Sequence, residues 1–347
     1  MKVLVTGGAG FIGSCLVNHL VTAWDCHVVV IDKLTYASNL SSLEELDKNQ
    51  IKLYQKDIVN QAEIKRIIFD EEPDCIFHLA AESHVDRSII GPSEFISTNI
   101  IGTYNLLECS LEYLSKLSNS KSQQFKFIHI STDEVFGDLG LSDRKFNENT
   151  AYAPSSPYSA SKASSDHLVN AWHRTYNLPT IITNCSNNYG PFQNPEKFIP
   201  KIIINALNKK MIPVYGNGEQ IRDWLFVNDH ISALLEILSD GVIGESYNIG
   251  GNNEISNISV ANEICKILNN TIKKTDKNFD HSSLIKFVSD RPGHDQKYAI
   301  DSSKLMSGTS WRPLENFSSG IKKTIDWYIK NENWWKNISS QDTQGVR

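Results

Sequence analysis

The sequence predicts an α/β protein built on a doubly wound parallel sheet, on three observations. Apolar, β-branched runs alternate with helix-patterned stretches through the first half of the chain, the texture of parallel strands joined by crossover helices. The first run, Lys2-Val3-Leu4-Val5, passes into Thr6-Gly7-Gly8-Ala9-Gly10-Phe11-Ile12-Gly13 and then a helix over 11–22. The second, His27 to Ile31, ends on Asp32, nineteen positions beyond Gly13. Glycines at this spacing permit a tight turn, close approach of a pyrophosphate and close helix–strand packing. The sheet is therefore expected to be Rossmann-type, with Gly7, Gly10, Phe11, Ile12 and Gly13 at a dinucleotide. Asp32 accepts ribose hydroxyls and would repel a 2′-phosphate, so NAD is expected rather than NADP.

The later elements follow in order. Lys33, Leu34 and Thr35 begin a loop able to flank the adenosine. A third strand, 51–55, leads to Asp57 and Ile58, placed to meet the adenine. A helix over 61–70 precedes a fourth strand, 74–79, which ends at Leu79 and opens into Ala80, Ala81 and Ser83. Side chains this small let the pyrophosphate and nicotinamide ribose lie near the backbone, and His84 next to them is in reach of a substrate. A long helix is read from Thr98, a further cofactor candidate, to Glu112, and a polar loop over 115–124. The aromatic run 125–130 is a buried strand delivering Ser131-Thr132-Asp133-Glu134 to the edge where open α/β sheets bind ligands. Tyr158 and Lys162, four apart, share a helix face, and the ammonium is expected to lower the phenol's pKa. After another strand, 179–183, Pro191, Pro195, Pro200 and Pro213 break up the chain. Residues 1–190 are therefore read as the dinucleotide-binding part, 191–335 as a smaller mixed C-terminal substrate-binding region that returns some strands to the sheet, and 336–347 as a flexible tail.

Composition excludes several function classes. The 347 residues are 40% hydrophobic and 21% charged, with a net charge of −6. No basic excess points to nucleic acid or an anionic membrane. No apolar run reaches the roughly 20 residues of a membrane helix. The six cysteines are scattered without metal-ligand spacing, so no metal site is expected. A strand begins at once, without a charged-then-apolar leader, and a cytoplasmic location is expected.

With Tyr158-x-x-x-Lys162, the chain resembles the extended short-chain dehydrogenases/reductases. Phe77-His78-Leu79-Ala80-Ala81-Glu82-Ser83-His84, Ser131-Thr132-Asp133-Glu134-Val135-Phe136-Gly137, Asn184-Cys185-Ser186-Asn187-Asn188-Tyr189-Gly190-Pro191 and Asp290-Arg291-Pro292-Gly293-His294 narrow the likeness to the nucleotide-sugar 4,6-dehydratases. Related 4-epimerases lack the Asp-Glu pair. The resemblance implies a tightly bound, recycled NAD, a homodimer through 99–112 and 158–176, and dehydration of a nucleotide-linked hexose, with dTDP-glucose expected. Hexoses on UDP, CDP or GDP, 4-epimerisation, or a silent NAD-binding role stand as alternatives. By the same resemblance, Tyr158 takes the C4 hydroxyl proton, Lys162 holds Tyr158, and Thr132 bonds the C4 oxygen. Glu134 removes the C5 proton and Asp133 protonates the leaving C6 hydroxyl. Asn188 meets the nicotinamide and Asn187 the sugar or its phosphate. Lys197 and Phe198 open a helix toward a diphosphate clamped by Arg222 and Arg291, while Pro213, Tyr215, Asn257 and His294 line the nucleotide site.

Overall fold

A computed structural model describes residues 1–272, 279–290 and 293–342, the last four without side chains. Arg291 lies outside the described residues. The first winding comprises β1 (Lys2–Thr6), α1 (Phe11–Thr22), β2 (His27–Asp32), β3 (Ile51–Gln55), α2 (Gln61–Glu71) and β4 (Cys75–His78). Short helices α3 (Val85–Ile90) and α4 (Pro92–Phe95) run into a π-helical stretch, Ile96–Gly102, and then α5 (Thr103–Leu114) and α6 (Asn119–Gln124). β5 (Lys126–Thr132) ends in a 3₁₀ turn, Asp133–Phe136, ahead of α7 (Pro157–Tyr176) and β6 (Thr180–Cys185). The remainder holds β7 (Asn187–Tyr189), α8 (Phe198–Leu207), β8 (Ile212–Tyr215), β9 (Ile221–Phe226), α9 (Val227–Asp240) and β10 (Ser246–Ile249). It closes with β11 (Glu254–Ser256), α10 (Asn257–Thr271), β12 (Ile285–Val288), α11 (Ser303–Gly308), α12 (Phe317–Lys330) and α13 (Glu332–Asp342).

The main sheet has the order β10-β6-β5-β4-β1-β2-β3, parallel throughout. This is the α/β class expected, with two smaller sheets beside it. Alternation along β1 sends Val3 and Val5 into one core layer with Leu16 and Leu234, and Leu4 into the other with Ile64 and Leu106. A third core, with Tyr189, Ile203, Val260 and Ile321, underlies the C-terminal region. Strand order reverses between β1 and β4, and a crevice opens at their C-terminal ends, as the topological rule requires.

Several expectations need correction. The helix read from Thr98 starts instead as the π-helical stretch, whose extra residue per turn re-aims the side chains it carries. The stretch read as a polar loop contains α6, whose residues are half-exposed or exposed. Residues 336–342, read as the start of a flexible tail, are helical instead: α13 runs to Asp342, and Ile338 is buried, while the rest of that tail lies outside the described residues. Trp335 and Ile338 sit three positions apart, so both reach one face of that helix, and burial of that face outweighs the polar residues between them.

Three buried histidines couple this fold to pH. His78 Nδ1 lies 2.8 Å from Thr6 Oγ1 and Nε2 lies 2.8 Å from Thr103 Oγ1. Burial pushes His78 well below the ordinary histidine pKa, His129 down to about 4 and His230 down to about 3. A folded-state pKa below the unfolded value gives stability that is complete above about pH 6.5 and lost as pH falls toward the folded value, by roughly 1.4 kcal/mol for each pH unit that separates the two. The urea unfolding midpoint is therefore expected to fall from about pH 6.5 to about pH 4.5, with the three histidines outweighing buried Asp133 and Asp223, whose raised pKa values act in the opposite sense. A constant midpoint across that range would contradict this account.

Candidate active site

The glycine turn forms one wall of the crevice. Gly7 has φ +71°, and a Cβ there would stand 2.8 Å from Ala80 N. At Gly13 a Cβ would meet Gly7 O at 2.1 Å. Both positions therefore exclude a side chain. The first turn of α1 has no side-chain cap and no acidic residue, so its free N–H groups remain for an anion. Asp32 is buried, with Oδ1 accepting from Leu34 N (2.8 Å) and Ser38 Oγ (2.7 Å), and Oδ2 from Ala9 N (3.0 Å). This carboxylate is fixed in place beside the turn. A dinucleotide fits these residues: backbone donors for its pyrophosphate and an oriented carboxylate for its ribose.

The other wall comes from β5, β6 and α7. Thr132, Asp133 and Glu134 leave the end of β5 in the 3₁₀ turn, where Thr132 Oγ1 caps Glu134 N at 3.3 Å. Pro157 at the first position of α7 and a reciprocal Ser156–Ser159 capping box fix where that helix starts. Tyr158 and Lys162 thereby face the same crevice. Asp133 is fully buried, and Oδ2 has no hydrogen-bond partner. Burial first, then the Glu134 and Asp223 carboxylates, hold its pKa well above the ordinary range, against Arg222 and a hydrogen bond from Thr132. Burial and the neighbouring carboxylates thus favour the protonated form of Asp133, adjacent to a second carboxyl group.

The Tyr158–Lys162 pair differs from the expectation. Lys162 Nζ donates to Ile130 O at 2.8 Å, with His129 Nε2 at 3.4 Å. Burial lowers the ammonium's pKa, with Asp166 opposing. Tyr158 is pushed well above the ordinary phenol range by burial and by Glu134. Desolvation therefore outweighs any help from the lysine, and Tyr158 is a neutral phenol.

The crevice brings together most of the residues singled out from the sequence. Gly10, Phe11, Ile12, Lys33, Thr35, Asp57, Ile58, Leu79, Ala81, Ser83, Thr98, Asn187, Asn188 and Lys197 line it with those above. Leu34 is absent from the lining and contributes its N–H to Asp32. His84, Phe198, Pro213, Tyr215, Arg222, Asn257 and His294 also lie outside the lining. Tyr215 and His294 meet edge-on at 6.4 Å, and Asn257 N donates to Gln220 O. Phe198 stacks on Trp224 at 6.1 Å. Arg222 is buried, gives Nη1 to Ile221 O and Nη2 to Asp295 O, and lies 4.4 Å from the Tyr298 ring centre.

Sequence reasoning passed over several members of this site. Asn99, re-aimed by the π-helical stretch, donates to Glu82 O and Ser161 Oγ. Asp166 accepts from Ser131 Oγ and Tyr152 Oη and pairs with His129 at 3.1 Å. Glu82 and Asp166 stand in or beside the motifs that carry the resemblance, so their signal was present. Tyr298 has none: only the fold brings its phenol near Glu134, whose charge adds to burial in raising its pKa.

Residues 4–324 match the family model described as GDP-mannose 4,6 dehydratase. A dTDP-glucose 4,6-dehydratase of Escherichia coli is 55% identical, the match covering 100% of this chain and 99% of that protein. The chain belongs to the dTDP-glucose 4,6-dehydratase family. A Bacillus anthracis dehydratase solved with NAD is 41% identical at a TM-score of 0.85, covering 97% of this chain and 99% of that one. A Streptomyces venezuelae dTDP-glucose 4,6-dehydratase solved with NAD and dTDP bound superposes at a TM-score of 0.88, with 38% identity and 97% and 100% coverage. Loss of water across two carbons takes both an acid and a base, and the crevice holds two adjacent carboxyl groups, Asp133 and Glu134.

Proposed function

We infer that the chain dehydrates dTDP-glucose to dTDP-4-keto-6-deoxyglucose with NAD as a recycled cofactor. The observation that carries the reading is the buried Asp133 beside Glu134 in the crevice that Tyr158 and Lys162 also line, where burial and the neighbouring carboxylates raise the Asp133 pKa. When bound, NAD supplies a ring that takes up and returns hydride and a positive charge that favours the phenolate. Tyr158 would then remove the proton from the C4 hydroxyl, with Thr132 orienting that oxygen and Lys162 available to hold the nicotinamide ribose. The C4 ketone acidifies the C5 hydrogen, which Glu134 takes. Asp133 gives its proton to the departing C6 hydroxyl, so water leaves and the 5,6-alkene is ready for hydride at C6. As hydride arrives at C6, Glu134 would return its proton to C5, and the proton held by Tyr158 would replace the one Asp133 gave up, so one water is released and no external oxidant is used. A protonated Asp133 supports the acid role, since a neutral carboxyl can donate.

The nucleotide-binding role belongs to 1–190 and the sugar-nucleotide role mainly to 191–335. At the diphosphate, Arg222 keeps Nε and one hydrogen of Nη2 beyond its bonds to the Ile221, Gln296 and Asp295 carbonyls. Exposed Ile101 and Tyr104 on the helix before and within α5, and Tyr176 at the end of α7, support a homodimer through these helices. Six buried, unpaired cysteines suit a reducing cytoplasm.

One experiment reads the activity and the assembly together. The purified protein is sized by gel filtration, and the eluted peak is incubated with dTDP-glucose without added NAD. A dimer-sized peak that yields a product lighter by one water is the expected result. Unchanged dTDP-glucose, even after NAD is supplied, would refute the reading.

A further inference from the structure

α12 and α13 are the last described helices, yet they pack directly behind the glycine turn that follows β1. Trp334 is at the centre of this contact. Its Nε1 donates to Ser42 Oγ at 3.3 Å, and its ring meets Trp327 edge-on at 4.9 Å and Phe192 at 5.9 Å. Phe192 in turn lies 4.9 Å from Trp327. Between this aromatic face and the turn is a small cavity bounded by Gly10, Phe11, Ser38, Ser42, Phe192 and Trp334.

The loop caught in between, 36–42, is tied on both sides. On the inner side Ser38 Oγ donates to Asp32, and Asn39 N donates to Ala9 O at 2.8 Å. On the outer side Asn194 Nδ2 donates to Tyr36 O at 3.1 Å, and Trp334 holds Ser42. Phe192 adopts φ +66°, a left-handed conformation that a bulky residue keeps only where its surroundings impose it. The surroundings here are the two tryptophans. None of the residues bounding the cavity belongs to the Tyr215–Asn257–His294 cluster, so the contact acts on the cofactor end of the crevice.

We propose that Trp334 is a positioning residue for the cofactor: through Ser42 and Phe192 it holds the 36–42 loop against Asp32 and the glycine turn, and so sets how fast NAD leaves. This rests on the reading of the crevice as an NAD site. A redox-neutral enzyme has no need to release its cofactor between turnovers, and a brace outside the reaction chamber slows release without touching the chemistry.

The test compares Trp334→Ala, Trp334→Phe and Ser42→Ala with the unmodified holoenzyme. NAD release is followed by trapping the free dinucleotide with an excess of a second NAD-binding dehydrogenase. Trp334→Ala is expected to release NAD about tenfold faster, the change worth one lost aromatic contact network. Trp334→Phe keeps a ring against Trp327 and Phe192 but loses the indole hydrogen bond to Ser42, as Ser42→Ala does, so both should accelerate release only a few-fold. With NAD saturating, kcat and the KM for dTDP-glucose should stay within about twofold for all three, a split that general loss of structure would not give. Equal release rates in the unmodified enzyme, Trp334→Ala and Ser42→Ala would overturn the proposal. An unmodified protein that retains no NAD would overturn the cofactor reading itself, and the brace with it.

Discussion

Tyr158→Phe is expected to lower kcat by about a thousandfold, the usual worth of a positioned proton acceptor, while NAD stays bound. The ring remains, so its edge-on contact with Phe95 at 6.3 Å survives and the fold should be unaffected. The loss falls on the first chemical step, because without the phenol nothing beside the C4 hydroxyl takes its proton as hydride departs. Rapid-mix kinetics with dTDP-glucose would locate the block before any C5 hydrogen is exchanged with solvent. Since burial holds Tyr158 neutral, kcat/KM should also rise with pH on its alkaline side until the phenol is ionised. Activity within about tenfold of the unmodified enzyme would remove Tyr158 from the base role.

Glu134→Gln and Asp133→Asn are expected to separate the two halves of the elimination. Gln at 134 cannot accept the C5 proton, so deuterium uptake at C5 from heavy water and product formation should both fall, by about a hundredfold to a thousandfold. Asn at 133 cannot deliver a proton to the C6 oxygen. Product formation should fall by a similar factor, while C5 exchange continues faster than water is lost. NMR of the recovered sugar in heavy water distinguishes the patterns. The reverse outcome, with exchange lost in Asp133→Asn and kept in Glu134→Gln, would exchange the two roles. Neither substitution introduces charge, and Asn at 133 removes a buried carboxyl whose charged form burial disfavours, so stability should change little.

Much of the fold and site is readable in the residues because it depends on local spacing. The glycine turn, Asp32 at the end of β2 and the four-residue interval between Tyr158 and Lys162 are short-range patterns, and each lies in the crevice. Limits arise wherever long-range packing decides the outcome. α9 carries buried Ile231, Leu234, Leu235 and Leu238 at helical spacing, a legible pattern that lies beyond the chemistry-bearing motifs and is easily passed over. The π-helical turn at Ile96–Gly102 has no marker in a chain segment that reads equally well as α-helix. The state of Tyr158 escapes the sequence for a related reason: proximity of charge can be counted from spacing, but desolvation needs the surrounding atoms. Trp334, and Ile338 in the stretch read as a tail, carry no local sign of their neighbours, and only the fold puts the glycine turn behind them.

The placement of β10 limits how such a protein can be recombined. Ser246–Ile249 comes late in the chain, after the segments that bear the sugar-nucleotide candidates Asn187, Lys197 and Tyr215, yet it pairs in register with β6 as the outer strand of the main sheet. A chimera joined at residue 190, with its second half taken from a distant relative, would therefore import one strand of the cofactor platform along with the new pocket. The donor strand would have to match β6 side chain for side chain. Substrate preference in this architecture is for that reason open to change by point substitution and closed to exchange of whole modules.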